Sequence, residues 1–148
     1  MQWETITSRD NKLIRHITRL ASDAKYRRGC GEYVCEGEKL LWEALRDGVR
    51  LRAVLWEQSS LNEAQAARPA LLRQLETPGC RCAAAPAQVF GAASFLETFA
   101  GPLFVCAMEE HALPSAGRRF IALDGVQDPG NVGTVVRTAD AFSLDGVW

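Results

Sequence analysis

The stretch LDGVQDPGNVGTVVRTADAF, residues 123–142, begins on the last residue of a short apolar run, FIAL, at 120–123. Pro129 and Gly130 are typical of a turn. Asn131 is predicted to cap the helix that follows, because its side chain can accept hydrogen bonds from the free N–H groups of the first turn. A buried strand, a loop and a helix in this order indicate an α/β protein. Ligands of such proteins bind where strands end and helices begin, so this loop is the first candidate site.

The helix predicted at 132–142 has an apolar stripe, which we expect to be buried: Val132, Val135, Val136 and Ala139. Gly133 and Arg137 lie four residues apart and share another face, where the missing side chain at Gly133 leaves room for a ligand beside the guanidinium. A plainer interpretation fits equally well. Asn131 would then be only a cap, Gly133 a packing position and Arg137 a partner of Asp140, and spacing alone does not decide between the two.

The loop matches neither of two common nucleotide-binding motifs. Gly125, Gly130 and Gly133 are not spaced as GxGxxG, and no Gly-Lys-Ser or Gly-Lys-Thr follows, as a phosphate-binding loop requires. An α/β enzyme that uses DPGNVG as an unrelated anion-binding loop stays open as a weaker alternative.

Strands and helices alternate along the preceding chain. Helices are predicted at 11–25, 38–47, 63–75 and 86–99, and strands at 33–36, 51–56, 80–84 and 103–108. Gly48 is expected to end its helix in the left-handed conformation. A polar segment at 109–118 precedes the strand at 120–123 and the start of another strand at 146–148. The alternation predicts a sheet covered by helices on both faces.

The amino-terminal region is basic although the net charge of the 148-residue chain is only −1. Its candidate phosphate-binding cations are Lys12, Arg15, Arg19, Lys25, Arg27 and Arg28. A solvated helix face is the alternative explanation for such a run. Trp3, Tyr26 and Tyr33 lie near these cations and could stack on bases, or could equally be core or rim residues.

The amino-acid composition and the cysteine pattern restrict the classes of protein to which the chain can belong. Hydrophobic residues make up 47% of the chain, enough for a folded core. The five cysteines form no CxxC pair and have no histidine at zinc-ligand spacing, which predicts reduced thiols and no metal. His16 and His111 are interpreted as structural or exposed. The polar start and the absence of a long apolar run predict a soluble, cytoplasmic protein with no membrane span.

Residues 123–148 resemble the first signature motif of the TrmH/SpoU-type RNA ribose methyltransferases, which belong to the SPOUT class with a trefoil knot. The matching positions are Asp128, Pro129, Gly130, Asn131, Gly133, Arg137, Thr138, Ala139, Gly146 and Val147. Residues 5–108 resemble, more loosely, the family's amino-terminal substrate-binding domain, a ribosomal-protein-like α/β/α unit, through SRDNKLIRHITRL, KYRR and YVCEGEKLLWEAL.

The resemblance implies methyl transfer from S-adenosylmethionine to a ribose 2′-hydroxyl of ribosomal or transfer RNA, usually by a homodimer that assembles through the methyltransferase domain. The family assigns the Arg137 position to activation of the hydroxyl, and the Asn131 position to construction of the site. Guanidinium is a poor base, so we expect Arg137 to hold the adjacent phosphate and to stabilise the developing alkoxide.

The same resemblance predicts three segments: an RNA-binding domain at 1–108, a linker at 109–118, and the first part of the methyltransferase domain at 119–148. The family's later cofactor-binding motifs have no counterpart in the sequence, so no residue here is assigned to the cofactor, and the chain is predicted to be truncated and inactive alone. A non-catalytic RNA-binding module is the alternative. Strand edges and apolar surface left uncovered would lead to docking, self-association or local disorder.

Overall fold

A five-stranded mixed sheet lies at the centre of the first of the two units into which the chain divides, Met1–Glu109 and Glu110–Trp148. The computed structural model describes residues 3–75, 77–96, 101–109 and 116–148. Residues 110–115 of the predicted linker, with His111, lie outside the described residues, as does the end of the helix predicted at 86–99.

The described part of the first unit alternates strands and helices as expected. Its elements are β1 (Glu4–Thr5), α1 (Lys12–Ser22), α2 (Ala24–Cys30), β2 (Glu32–Glu36), α3 (Glu38–Arg46), β3 (Leu51–Glu57), α4 (Gln58–Ala67), α5 (Pro69–Leu72), a 3₁₀ turn (Arg73–Leu75), β4 (Arg81–Ala85), α6 (Ala87–Phe90) and β5 (Leu103–Ala107). Gly48 follows α3 with a φ of 74°, the left-handed conformation predicted for it.

The strands of this sheet run in the order β1-β4-β3-β5-β2. The pairs β1–β4 and β4–β3 are parallel, whereas β5 is antiparallel to both β3 and β2. A register shift between Leu51 and Ala53 marks an irregularity in β3. Because of this shift, Leu51 belongs to the same core as Val54, although an ideal strand would place these two side chains on opposite faces.

Two separate cores cover the two faces of the sheet, as the alternating pattern predicted. On one face, α1 and α6 pack through Ile17, Leu20 and Phe90. On the other face, Leu41 of α3 and Leu61 of α4 pack with Trp56. The α/β prediction, with helices on both faces, is therefore confirmed for this unit.

Three of the helices predicted for the first unit have clearly different bounds in the structure, and local chemistry explains each difference. The helix expected at 11–25 ends at Ser22, because Asp23 adopts an extended conformation. The side chain of Asp23 accepts the N–H of Tyr26 and thereby caps the start of α2. The helix expected at 63–75 begins at Gln58 and is interrupted at Arg68, which precedes Pro69 and has a ψ of 51°. The residue before a proline is disfavoured in the helical region.

The helix predicted at 86–99 is also shorter, since only Ala87–Phe90 is helical among its described residues. The carboxylate of Glu36, a residue only 5% exposed, accepts hydrogen bonds from the hydroxyl of Ser94 at 2.8 Å and from the N–H of Phe95 at 3.2 Å. These polar contacts hold the chain after α6 against the end of β2 and compete with continuation of the helix.

Glu57 caps α4, and its stabilising effect is expected to depend on pH. Burial opposes ionisation, but hydrogen bonds from the hydroxyls and N–H groups of Ser59 and Ser60 outweigh it and lower the pKa of Glu57 from 4.5 to about 2. A carboxyl whose pKa is depressed by folding stabilises above its unfolded pKa, and this is lost as the pH falls. The stability advantage over Glu57→Gln, measured by urea unfolding, should shrink from pH 5 to pH 2. An advantage unchanged across that range would contradict the assignment.

The described part of the second unit contains a strand, a helix and a strand: β6 (Phe120–Ile121), α7 (Pro129–Ala141) and β7 (Gly146–Val147). The two strands are parallel, with Phe120 opposite Gly146 and Ile121 opposite Val147. The pairing continues in hydrogen bonds that join Leu123 and Ile121 to Trp148. The strand predicted at 120–123 is therefore present, although only its first two residues have strand geometry.

The predicted apolar stripe of α7 is only partly buried. Ala139 is buried at 4% exposure, Val136 is 48% exposed, and the other two valines are half-buried. The expectation of a buried stripe therefore holds only in part, while the expected uncovered apolar surface is present at Val136. A two-stranded pair offers too small a surface to cover a helix of 13 residues. Phe142 and Trp148 are also exposed, at 70% and 54%. Docking, self-association or disorder of this surface stays a prediction.

Candidate functional site

Asp128, rather than Asn131, caps the helix of the candidate site. Its carboxylate accepts the N–H of Gly130 at 2.7 Å, and Pro129 occupies the first helical turn. Proline suits this position because its φ is already helical and it has no N–H to satisfy. The predicted N-cap at Asn131 was therefore wrong. Asn131 is instead the third residue of α7 and its side chain is exposed, which leaves it available to a ligand.

Gly133 and Arg137 are neighbours on one face of α7, as their spacing predicted. A Cβ placed on Gly133 would lie 3.4 Å from Nη1 of Arg137, so the guanidinium lies against the bare backbone of the preceding turn. Nη2 of Arg137 donates to Oγ1 of Thr134 at 3.3 Å, and that hydroxyl donates to the carbonyl of Gly130 at 2.8 Å. Within the described residues, Arg137 contacts Thr134 and not Asp140, contrary to the plainer interpretation of its spacing.

The loop before α7 is open. Residues 124–131 are all exposed, and Gly125 has a φ of 66°, so the chain turns there in a conformation that favours glycine. The exposed loop leaves its side chains open to contact with a ligand. The expectation that no residue of this chain binds the cofactor stays a prediction.

Asp145, just before β7, holds the chain at the start of β6 by hydrogen bonds. Its carboxylate accepts the N–H groups of Arg118 at 2.8 Å and Arg119 at 2.9 Å, and these bonds lower the pKa of Asp145. The guanidinium of Arg119 donates to the carbonyl of Ser143 at 2.7 Å. Asp145 and Arg119 both lie outside the candidate site, and their hydrogen bonds connect the start of β6 to the turn between α7 and β7.

Five of the six predicted phosphate-binding cations are exposed on the first two helices. Lys12, Arg15 and Arg19 lie on α1, and Lys25 and Arg28 lie on α2. Arg27 is different, because its Nη1 donates to the carbonyl of Leu20 at 2.7 Å at the carboxyl end of α1. Arg27 thus satisfies a free backbone group at a helix end, which is a structural role, and the other five form the basic surface.

Open grooves flank Arg19 on this basic surface. One, of about 380 Å³, is lined by Arg9, Ile14, Arg15, Thr18, Arg19, Ser22 and Ala92. The other, of about 390 Å³, is lined by Arg19, Asp23, Lys25, Tyr26, Gly29 and Cys30. Arg19 lines both grooves, so the two grooves meet at its side chain.

A polar network behind this surface was missed by sequence reasoning. His16 contacts the hydroxyl of Tyr26 through Nδ1 and the carboxylate of Glu32 through Nε2, both at 2.9 Å. Glu32 also faces Nε of Arg52 at 3.6 Å. The interpretation of His16 as structural is supported by these contacts. The four residues come from four different elements, so no local spacing pattern indicates them.

In the described part of the chain, no helix is both long and apolar enough to cross a bilayer. The same residues contain no group of three His, Cys, Asp or Glu side chains arranged to hold a metal ion. No disulfide joins the five cysteines, all of which lie in the described part of the chain, and Cys82 and Cys106 are buried.

The chain is similar over nearly its whole length to known RNA methyltransferases. The 23S rRNA (guanosine(2553)-2′-O)-methyltransferase RlmP of Bacillus subtilis strain 168 is 33% identical over 142 residues, which cover 96% of this chain and 52% of that protein. The chain thus spans about half the length of the curated relatives it matches. No protein-family model matches the chain.

Solved structures of RNA methyltransferases also share the fold of this chain. A TrmH-family protein from Porphyromonas gingivalis is 31% identical with a TM-score of 0.69, over 91% of this chain and 49% of that one. The fold is also shared with an AdoMet-bound rRNA methyltransferase from Sinorhizobium meliloti, with a TM-score of 0.79, 24% identity, and coverage of 99% of this chain and 54% of that one.

Proposed function

Because the chain belongs to the TrmH/SpoU-type RNA methyltransferases, we propose that it serves the transfer of a methyl group from S-adenosylmethionine to a ribose 2′-hydroxyl of ribosomal or transfer RNA. The observation that carries this proposal is the exposed guanidinium of Arg137, set against the bare backbone of Gly133 one turn into α7. That arrangement leaves room for a ribose-phosphate unit beside a cation.

We assign a different role to each of the two units. The first unit binds structured RNA through the exposed cations of α1 and α2, by neutralising phosphates. The second unit carries the residues that act on the hydroxyl. The motif residues Asp128, Pro129 and Gly130 start α7, so that Asn131 lies in its first turn and Arg137 lies beyond its midpoint.

Arg137 acts on the hydroxyl electrostatically. A ribose hydroxyl is a weak nucleophile, and it becomes stronger as its proton leaves and negative charge develops on the oxygen. A guanidinium keeps its own proton, since its pKa lies above 12, so it stabilises this charge and holds the adjacent phosphate with its planar fork. The hydroxyl of Thr134 accepts a hydrogen bond from the Arg137 guanidinium and so orients its plane. The exposed side-chain amide of Asn131 binds the same ribose-phosphate unit.

S-adenosylmethionine supplies the methyl group when it is bound. We assign its binding to the parts of the longer relatives that lie outside the segment shared with this chain. We accordingly expect the 148-residue chain to bind RNA and to need those parts for methyl transfer, and to form a homodimer through the completed methyltransferase domain. The protein is expected to work in the cytoplasm.

An RNA-binding module without catalysis is the second candidate. The exposed cations of α1 and α2 favour it, because they can neutralise RNA phosphates with or without methyl transfer. An unrelated nucleotide-binding enzyme is disfavoured by the family membership.

Methyl transfer tests the proposal. The chain alone, the B. subtilis relative, and a chimera of residues 1–148 with the relative's carboxy-terminal half are incubated with labelled S-adenosylmethionine and ribosomal or transfer RNA. The chain alone should bind RNA in a salt-dependent manner and transfer no methyl, while the chimera should label ribose. A chimera that binds the cofactor and RNA but labels no RNA would favour the binding module. Binding of ATP or NAD without binding of RNA would refute both.

A further inference from the structure

Arg19 and Tyr26 form a stacked pair on the basic surface. The guanidinium carbon of Arg19 lies 4.1 Å from the centre of the Tyr26 ring, close enough for a cation–π contact. The Arg19 side chain is nevertheless 62% exposed, so much of the group remains open to solvent. The pair forms one wall of the 390 Å³ groove, whose other side chains include Asp23 and Lys25.

The position of Tyr26 is fixed from behind. Its hydroxyl contacts Nδ1 of His16 at 2.9 Å, and the two rings meet edge to face with centres 5.6 Å apart. His16 is held in turn by Glu32 at 2.9 Å. The ring under Arg19 is therefore anchored to both α1 and β2, and does not turn freely as an isolated surface tyrosine would.

Asp23 orients the guanidinium from its edge. One carboxylate oxygen lies 3.6 Å from Nε of Arg19, while the other accepts the N–H of Tyr26 at 2.9 Å. Asp23 thus links the start of α2 to the charge of Arg19. Within the described residues, no aromatic ring or carboxylate is recorded against Lys12, Arg15 or Lys25, which sets Arg19 apart from these three cations.

We propose that the Arg19–Tyr26 pair is a stacking site for an unpaired RNA base, which packs on the outer face of the guanidinium and extends the cation–aromatic stack. This inference rests on the proposed RNA-binding function and specifies what the first unit recognises. Single-stranded loops expose base faces that stack on aromatic rings and on arginine planes, whereas paired bases in a helix do not. Lys25, on the groove wall, is placed to meet a neighbouring phosphate.

The experiment compares two RNAs of equal length, a hairpin with 2-aminopurine in its unpaired loop and a blunt duplex. Fluorescence anisotropy of the 148-residue chain measures affinity for each, and 2-aminopurine emission reports base stacking. Arg19→Lys keeps the charge but removes the planar group, and Arg46→Lys is the matched control at an exposed arginine of α3, outside the basic surface. Tyr26→Leu removes the ring, and circular dichroism checks its folding.

Arg19→Lys and Tyr26→Leu should weaken hairpin binding by about tenfold and abolish the emission change, with duplex affinity altered by about twofold at most. Arg46→Lys should leave both signals as they are. Equal behaviour of Arg19→Lys and Arg46→Lys, or hairpin binding by the unchanged chain with no emission change, would overturn the stacking site and leave the proposed function intact. Failure of the unchanged chain to bind either RNA would overturn both.

Discussion

Replacement of Arg137 by alanine is expected to slow methyl transfer by the chimera about 100-fold or more, while affinity for RNA changes little. The guanidinium is expected to contribute most where negative charge develops on the hydroxyl oxygen, and one phosphate contact among several contributes modestly to binding. Arg137→Lys keeps the charge without the planar fork, so its rate should lie between those of the alanine variant and the unchanged protein. Single-turnover rates with saturating RNA measure the effect.

Thr134→Val provides the matched control on the same helix. It removes the hydroxyl that Arg137 contacts at 3.3 Å, and leaves the guanidinium and the glycine face in place. A loss much smaller than that of Arg137→Ala would agree with an orienting role for Thr134. Methyl transfer that is equally fast with and without the Arg137 side chain would refute the assignment of this site.

The sequence predicted the arrangement of the candidate site better than its details. Gly133 and Arg137 were expected on one face because their spacing alone determines this in a helix, and the structure brings them together. The helix start was misplaced because Asp128 and Asn131 are both suitable caps. Pro129 was the signal that distinguishes them, since proline is favoured in the first turn, immediately after the cap.

Long-range contacts were beyond sequence reasoning. The strand β1 has only two residues and exists because it pairs with β4, far along the chain, so no local pattern indicates it. The same holds for His16, Tyr26 and Glu32, whose contacts depend on how α1, α2 and β2 pack. Buried strands such as β5 were predictable because a short apolar run carries its own signal.

Truncation of Trp56 to alanine is expected to cost the first unit about 3–5 kcal/mol of unfolding free energy. Trp56 is 1% exposed and contacts Trp3 edge to face, with ring centres 6.1 Å apart, and Trp42 at 6.3 Å. Its removal leaves a cavity between the sheet and α4 that these rings cannot fill. Domains of this size are commonly stable by only about 5–15 kcal/mol, so RNA binding by the first unit should fail at modest urea concentrations.

The measurement is cleanest in a Trp148→Ala background. Trp148 is 54% exposed and belongs to the second unit, so its removal should hardly change the stability of the first, while the remaining tryptophans all report on the first unit. Urea unfolding followed by fluorescence then compares Trp56→Phe and Trp56→Ala, with circular dichroism as a second probe. Phenylalanine retains part of the buried area and should lose less. A loss below about 1 kcal/mol for alanine would mean that the ring cluster is not the centre of this core.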